Sequence, residues 1–285
     1  MISYILYRIG EILSLSLPLR AAYAVAVFLS DLRYLFAAKD RKIVTENLRA
    51  IFPEKNDQEI SNIRLRVFHN FAKYLVDFFR FKKLNLDYIK NNVKIINNSY
   101  LDEGLKLGKG VIIVTAHLGN WELGGVVASM VGYSLSTVAL PHKSKIVTNF
   151  FTKQRESKGL KVFLLGDAVK GCIKVLRNNQ LLALVGDRDF TDGGKSLNFF
   201  GKPSLFPEGP AVFSLHTGAV IVPGFMLRNE DDSFSLAFEK PLQYVISGDQ
   251  KKDIDNIISQ YKSIFEKYIR SYPDQWYMFR RFWKE

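Results

Sequence analysis

His117 and Glu122 stand five residues apart in Thr115-Ala116-His117-Leu118-Gly119-Asn120-Trp121-Glu122, directly after the apolar run Val111-Ile112-Ile113-Val114. On an uninterrupted helix two such positions point about 140° apart, so the side chains meet only if the chain bends between them. Gly119 permits that bend. With His117 in the turn and Glu122 in the first turn of a following helix, the carboxylate holds one imidazole nitrogen and leaves the other to accept a proton. Such a dyad suits an acyl transfer in which His117 deprotonates an attacking hydroxyl and Glu122 orients it and stabilises the imidazolium. Backbone amides around Gly119 and Asn120 are candidate oxyanion donors. The plainer alternative is a capping or core histidine beside a solvated glutamate. The strand before the pair and the glycines after it favour the dyad.

Three further segments carry candidate chemistry. Leu184-Val185-Gly186-Asp187-Arg188-Asp189 puts three charges at a strand end, ahead of Thr191-Asp192-Gly193-Gly194-Lys195. That pattern fits the wall of an acyl-transfer site in which Arg188 or Lys195 meets an anionic headgroup. It also fits a metal-dependent glycosyltransferase in which Asp187 and Asp189 hold a divalent cation, or a solvated turn. Leu205-Phe206-Pro207-Glu208-Gly209-Pro210-Ala211 opens a helix whose first amides are placed to cap or to receive phosphate. Arg155, near a helix end, is either solvated or a bidentate phosphate contact.

These residues need elements to position them. From Val93 onward, short β-branched runs at Val93-Ile96, Val111-Val114, Leu135-Ala139, Val162-Leu164, Leu181-Val185 and Ala219-Pro223 alternate with segments of helical length. The alternation predicts an α/β fold with a mostly parallel sheet flanked by helices, and functional residues at the carboxyl edges of its strands. His117 and Asp187 both follow apolar strands and are expected to be neighbours. Asp40 to Ile51 and Asp57 to Phe81 read as helices. Residues 39 to 285 form one α/β domain in this reading, preceded by an apolar segment, residues 1 to 38.

That segment is interrupted by Arg8, Glu11, Arg20, Asp31 and Arg33, and Pro18 breaks it. A transmembrane helix needs about 20 consecutive apolar residues, and no such run exists. The segment is read as one or two helices lying in a membrane interface, with tyrosines and phenylalanines at headgroup depth. A helical hairpin packed on the protein's own core is the alternative.

The 285 residues are 47% apolar, which excludes disorder, and carry 40 basic against 28 acidic side chains. A formal charge of +12 favours an anionic partner without choosing among lipid, phosphorylated substrate, acidic protein and nucleic acid. Cys172 is the only cysteine, so no intrachain disulfide or cysteine-based zinc cluster forms, and four histidines argue against a multi-histidine metal site. No Gly-x-Ser-x-Gly or Gly-x-Gly-x-x-Gly is present. The tail from Tyr272 to Lys284 interleaves aromatics and cations, as a membrane interface, a single-stranded nucleic-acid surface or core packing would.

Taken together, these segments resemble the lysophospholipid acyltransferase superfamily, whose signature is a histidine, four residues and an acid: here His117 and Glu122. More narrowly, His117-Leu118-Gly119-Asn120-Trp121-Glu122 resembles the form in bacterial lipid A late acyltransferases of the lauroyl and myristoyl type. So do Tyr272-Pro273-Asp274-Gln275-Trp276, Arg280-Arg281-Phe282-Trp283-Lys284, Glu46-Asn47-Leu48 through Phe52-Pro53, and the apolar leader.

The resemblance implies a transferase on the cytoplasmic face of the inner membrane, anchored monotopically or peripherally. It would move a fatty acyl chain from acyl carrier protein or coenzyme A to a glycolipid hydroxyl, with His117 as base, Glu122 as its partner and no cofactor. By the same resemblance Arg155, Asp187, Arg188, Gly209 and Asn120 are substrate-binding residues. No metal and no nucleic acid are implied. A related branch acylates phosphatidylinositol mannosides, so the acceptor stays open between that glycolipid and a lipid A precursor. The metal-dependent glycosyltransferase and a non-catalytic membrane- or nucleic-acid-binding protein are the readings from other classes.

Overall fold

A computed structural model describes residues 2–166, 168–189 and 193–283. Thr191, Asp192 and Lys284, singled out in the sequence, lie outside the described residues.

Pro18 splits the leader into α1 (Ile2–Ser16) and α2 (Leu19–Phe36), because proline has no amide to continue a helix. After α3 (Ala38–Ile51), α4 (Asp57–Phe79) starts on a capping box in which Asn56 and Glu59 each accept the other's backbone amide. The chain then alternates: α5 (Leu86–Asn92), β1 (Val93–Ile96), α6 (Ser99–Lys106), β2 (Val111–Thr115), α7 (Trp121–Met130), β3 (Leu135–Ala139), α8 (Lys145–Glu156), β4 (Lys161–Leu164), α9 (Ala168–Arg177) and β5 (Leu181–Val185). The hairpin β6 (Lys195–Phe199) and β7 (Lys202–Phe206) follows, then α10 (Gly209–Thr217), β8 (Val220–Arg228), β9 (Phe234–Phe238) and α11 (Gln250–Ser271).

Seven strands form one sheet in the order β1-β9-β8-β2-β5-β3-β4. All its pairs are parallel except β8 with β9. Every residue of β2 is buried, as expected of a central strand covered on both faces. Its alternating side chains supply two cores. Ile112 and Val114 join Leu182, Leu184, Ile257 and Phe265 on one face, while Val111 and Ile113 join Val126, Leu135 and Phe79 on the other.

The six strands expected from the sequence all form, β9 joins their sheet, and β6 and β7 pair apart from it. The α/β architecture with a mostly parallel sheet flanked by helices is what the alternation required. The leader helices pack on α4: Ala22 and Tyr23 are buried against Val76, and Tyr7 contacts the rings of Phe79, Phe150 and Phe151. Among the described residues no single helix is long and apolar enough to cross a membrane.

Candidate active site

The register of the central strands brings two of the sequence candidates together. Thr115 of β2 pairs with Val185 of β5, and the Gly186 amide donates to the Thr115 carbonyl at 2.7 Å. His117 and Asp187 each lie two residues beyond that last pair, at the carboxyl edge where ligands bind in sheets of this kind. His117 Nδ1 is 2.7 Å from Asp187 Oδ1, and the His117 backbone amide donates to Oδ2 at 3.0 Å. Trp276 Nε1 also donates to Oδ2, at 3.2 Å. Burial works to raise the pKa of fully buried Asp187, but the charge and hydrogen bonds of His117 and the Trp276 indole outweigh it and hold the carboxyl below the usual range.

Glu122 serves a different residue from the one expected. It stands in the first turn of α7, and both its oxygens accept from Arg155 in the last turn of α8, at 2.7 Å from Nε and 2.6 Å from Nη2. The hydrogen bond to the histidine ring comes from Asp187 instead. This arrangement differs from the expected one, in which Glu122 orients His117. Five residues of separation across a bend left room for a competitor, and the parallel pairing of β2 with β5 delivers Asp187 straight to the ring. Arg155 is partly buried, which disfavours its charge, yet Glu122 more than compensates and raises its pKa. The guanidinium also lies over the Phe78 and Phe151 rings.

The turn from Leu118 to Asn120 is held from both sides. Gly119 adopts φ +63°, and a Cβ there would come within 2.0 Å of the Met226 carbonyl oxygen. Its amide donates to Gln275 O at 2.9 Å, and the Asn120 amide to Met226 O at 2.7 Å. Both amides are thus used inside the protein, which removes them as the expected oxyanion donors. Asn120 is also buried rather than turned toward a substrate. Its Oδ1 caps α7 on the Leu123 amide at 3.1 Å, and its Nδ2 donates to Asp77 at 2.9 Å.

His117, Glu122, Arg155, Arg188, Glu208 and Gly209 all line one cleft of about 560 Å³, within the range of small-ligand sites. Asp187 and Asn120 are buried and are not part of its lining. The interior is apolar, with Val138, Leu160, Ala183 and Leu184, and exposed Leu140, Leu165 and Val169 stand along it. Lys195 instead pairs with Asp255 at 2.9 Å. His142, not among the sequence candidates, also lines the cleft; burial and the nearby Arg155 lower its pKa.

Two competing readings lose their footing in this geometry. Both Asp187 oxygens are occupied by donors from His117 and Trp276, so that carboxylate is committed to the histidine rather than offered to a cation. In the tail, Trp276, Tyr277 and Met278 are buried, and Asn47 grips the segment by donating to the carbonyls of Met278 and Arg280 at 3.0 and 2.8 Å. Buried rings offer no platform for stacking bases. The segment from Trp276 to Met278 is core packing that also reaches the site through Trp276.

Comparison with known proteins agrees with acyl transfer. The chain is 27% identical over 218 residues to a phosphatidylinositol mannoside acyltransferase of Mycolicibacterium smegmatis, covering 75% of this chain and 70% of that protein. It is 27% identical over 221 residues to one of Mycobacterium tuberculosis, covering 75% and 68%. To a lipid A biosynthesis acyltransferase of Haemophilus influenzae it is 19% identical over 196 residues, covering 68% and 62%. The family described as bacterial lipid A biosynthesis acyltransferase matches residues 1–285. The chain belongs to that family and is an acyltransferase.

Proposed function

We propose that this protein is a membrane-associated O-acyltransferase that moves a fatty acyl chain from the thioester of acyl carrier protein or coenzyme A to a hydroxyl of an anionic glycolipid. The observation that carries the reading is the 2.7 Å contact of His117 with buried Asp187 at the edge of an apolar cleft. An ionised Asp187 accepts a hydrogen bond from the Nδ1–H, which fixes the tautomer whose Nε2 carries a lone pair. The acceptor hydroxyl gives its proton to Nε2 as its oxygen attacks the thioester carbonyl. The C–O bond forms, the C–S bond breaks, and the proton leaves with the thiol. Arg155, clamped by Glu122 in the cleft wall, supplies positive charge beside the reacting carbonyl. Each such group contributes about 3–4 kcal/mol where comparable donors have been removed from acyl-transfer sites. Arg188 and the positive end of α10 at Gly209 suit an acceptor phosphate.

The acceptor is a glycolipid of the phosphatidylinositol mannoside or lipid A precursor type. The mannoside is the first choice, since the mycobacterial relatives match with higher identity than the Haemophilus protein. The exposed apolar faces of α1 and α2 and the +12 charge support a place on an anionic membrane surface, the cytoplasmic leaflet of the inner membrane. To test this, purified wild type and His117→Ala are incubated with acyl carrier protein or coenzyme A thioesters and a total lipid extract. A new acylated glycolipid made by wild type alone, identified by mass spectrometry, is the expected result. Equal product from the His117→Ala protein would overturn the mechanism.

A further inference from the structure

Behind the active-site turn lies a buried polar cluster that the acyl-transfer chemistry does not use. Tyr23, from leader helix α2, donates its hydroxyl to Asp77 Oδ1 on α4. Asp77 Oδ2 accepts from Arg228 at the end of β8 and, at 2.9 Å, from Asn120 Nδ2. Arg228 Nη1 reaches back to the Tyr23 hydroxyl at 3.1 Å. Tyr23, Asp77, Asn120 and Arg228 are all buried. Replacing such a network by apolar residues is commonly neutral or stabilising, so stability alone does not account for it.

Its position does. Asn120 caps α7 two residues before Glu122 and three after His117. Arg228 holds the same turn from the other side: its backbone amide donates to Gln275 Oε1 at 2.9 Å, Gln275 Nε2 donates to the Arg228 carbonyl at 2.8 Å, and the Gln275 carbonyl receives the Gly119 amide. A second tie runs from the other leader helix. Buried Glu11 of α1 accepts from Gln154 Nε2 at 2.7 Å, and Gln154 immediately precedes Arg155 on α8. The two leader helices therefore end, through hydrogen bonds between buried groups, on the two elements that carry the Glu122 and Arg155 pair.

We infer that Tyr23, Asp77 and Arg228 are positioning residues for the transfer site, so that the leader helices set the geometry of His117, Glu122 and Arg155 in addition to any contact with lipid. The inference rests on the acyl-transfer reading. Tyr23→Phe is the informative variant, because it keeps the buried ring and removes only the hydroxyl. Asn120→Ser keeps a capping residue and breaks the link to Asp77. Ser30→Ala is the control: Ser30 donates to the Phe68 carbonyl at 3.1 Å in the same α2 and α4 contact but touches nothing in the cluster.

The kcat and KM of each protein are measured together with the ring signals of His117 by NMR, one of only four histidines. Tyr23→Phe is expected to lower kcat about tenfold with KM unchanged, since small misplacements of catalytic groups are costly, and to displace the His117 signals. The Tyr23→Phe, Asn120→Ser double variant is expected to lose no more than the worse single one, because both cut one chain. Ser30→Ala keeps kcat and the His117 signals even if it melts lower. Unchanged kcat and signals in Tyr23→Phe, or an equal loss in Ser30→Ala, would overturn the inference. If the wild type transfers no acyl group, the functional reading fails separately, and the His117 signals alone decide the positioning role.

Discussion

Two carboxylates compete for the role of partner to His117, and the distances assign them different tasks. Asp187 touches both the ring and the backbone amide of the histidine, whereas Glu122 spends both oxygens on Arg155. Asp187→Asn is therefore expected to lower kcat by roughly 10³- to 10⁴-fold, as loss of the tautomer-fixing carboxylate does in other histidine sites, and to move the pH dependence of what remains. Glu122→Gln acts through Arg155, so the residual rate is expected to fall while keeping the wild-type pH profile. A shifted profile in Glu122→Gln with none in Asp187→Asn would restore Glu122 as the orienting group. Asp187 also contributes to acid stability. Its folded pKa lies below the usual 3.8, so its stabilisation is present above that value and is lost as pH falls below it. The stability difference between wild type and Asp187→Asn should therefore shrink below that pH in acid unfolding curves. The nearness of His117 to Asp187 was legible in the sequence, because both follow apolar strands. That Arg155 claims Glu122 was not, since nothing local joins residues 33 positions apart.

At the level of elements, the site depends on a turn that only glycine fits. At Gly119 both the backbone angle and the 2.0 Å approach to the Met226 carbonyl oppose a side chain, whereas Gly108 has φ +70° with nothing within 4 Å. Gly108→Ala is expected to cost about 1–2 kcal/mol, the left-handed penalty alone, and to leave the rate intact. Gly119→Ala must in addition push the turn away from β8, so a larger stability loss and a rate at least tenfold lower are expected, measured by denaturant unfolding and initial rates. Equal effects at the two glycines would mean that the turn relaxes freely. The sequence marked Gly119 as the bend but not what pins it, because Met226 and Gln275 lie more than 100 residues away. The buried strands were legible from their β-branched runs. The β6 and β7 hairpin was not: its two-residue turn is Phe200-Gly201, with φ of +51° and +81°, and lacks the usual Asn-Gly or Asp-Gly signal. Strand β9 lacks the signal of the other strands, because Phe234-Ser235-Leu236-Ala237-Phe238 alternates at the period of a half-buried strand instead of forming a continuous apolar run.

Across the whole molecule, the leader has two faces, one packed on the core and one apolar and exposed. Its inner face enters the core through Tyr23 and Glu11. Its outer face leaves Val25, Phe28, Leu29, Leu32, Leu35 and Phe36 exposed at steps of three and four residues, Phe36 by 88%. A stripe of this kind on a strongly basic protein suits an anionic lipid surface, where apolar burial and charge attraction act together. The two contributions separate by experiment. Raising the salt screens the charge without touching the stripe, so binding to vesicles containing anionic lipid is expected to weaken with salt but not vanish. Phe28→Glu with Leu32→Glu removes part of the stripe. Because a fully buried large apolar side chain is worth about 1.5–3 kcal/mol, this double change is expected to weaken vesicle binding by roughly tenfold or more. Both side chains are exposed, so melting temperature and the cleavage of a soluble thioester should stay at wild-type values. If vesicle binding is unchanged while the protein melts lower, the outer face of α2 is covered by protein rather than lipid, and the membrane contact must be sought at the exposed leucines beside the cleft.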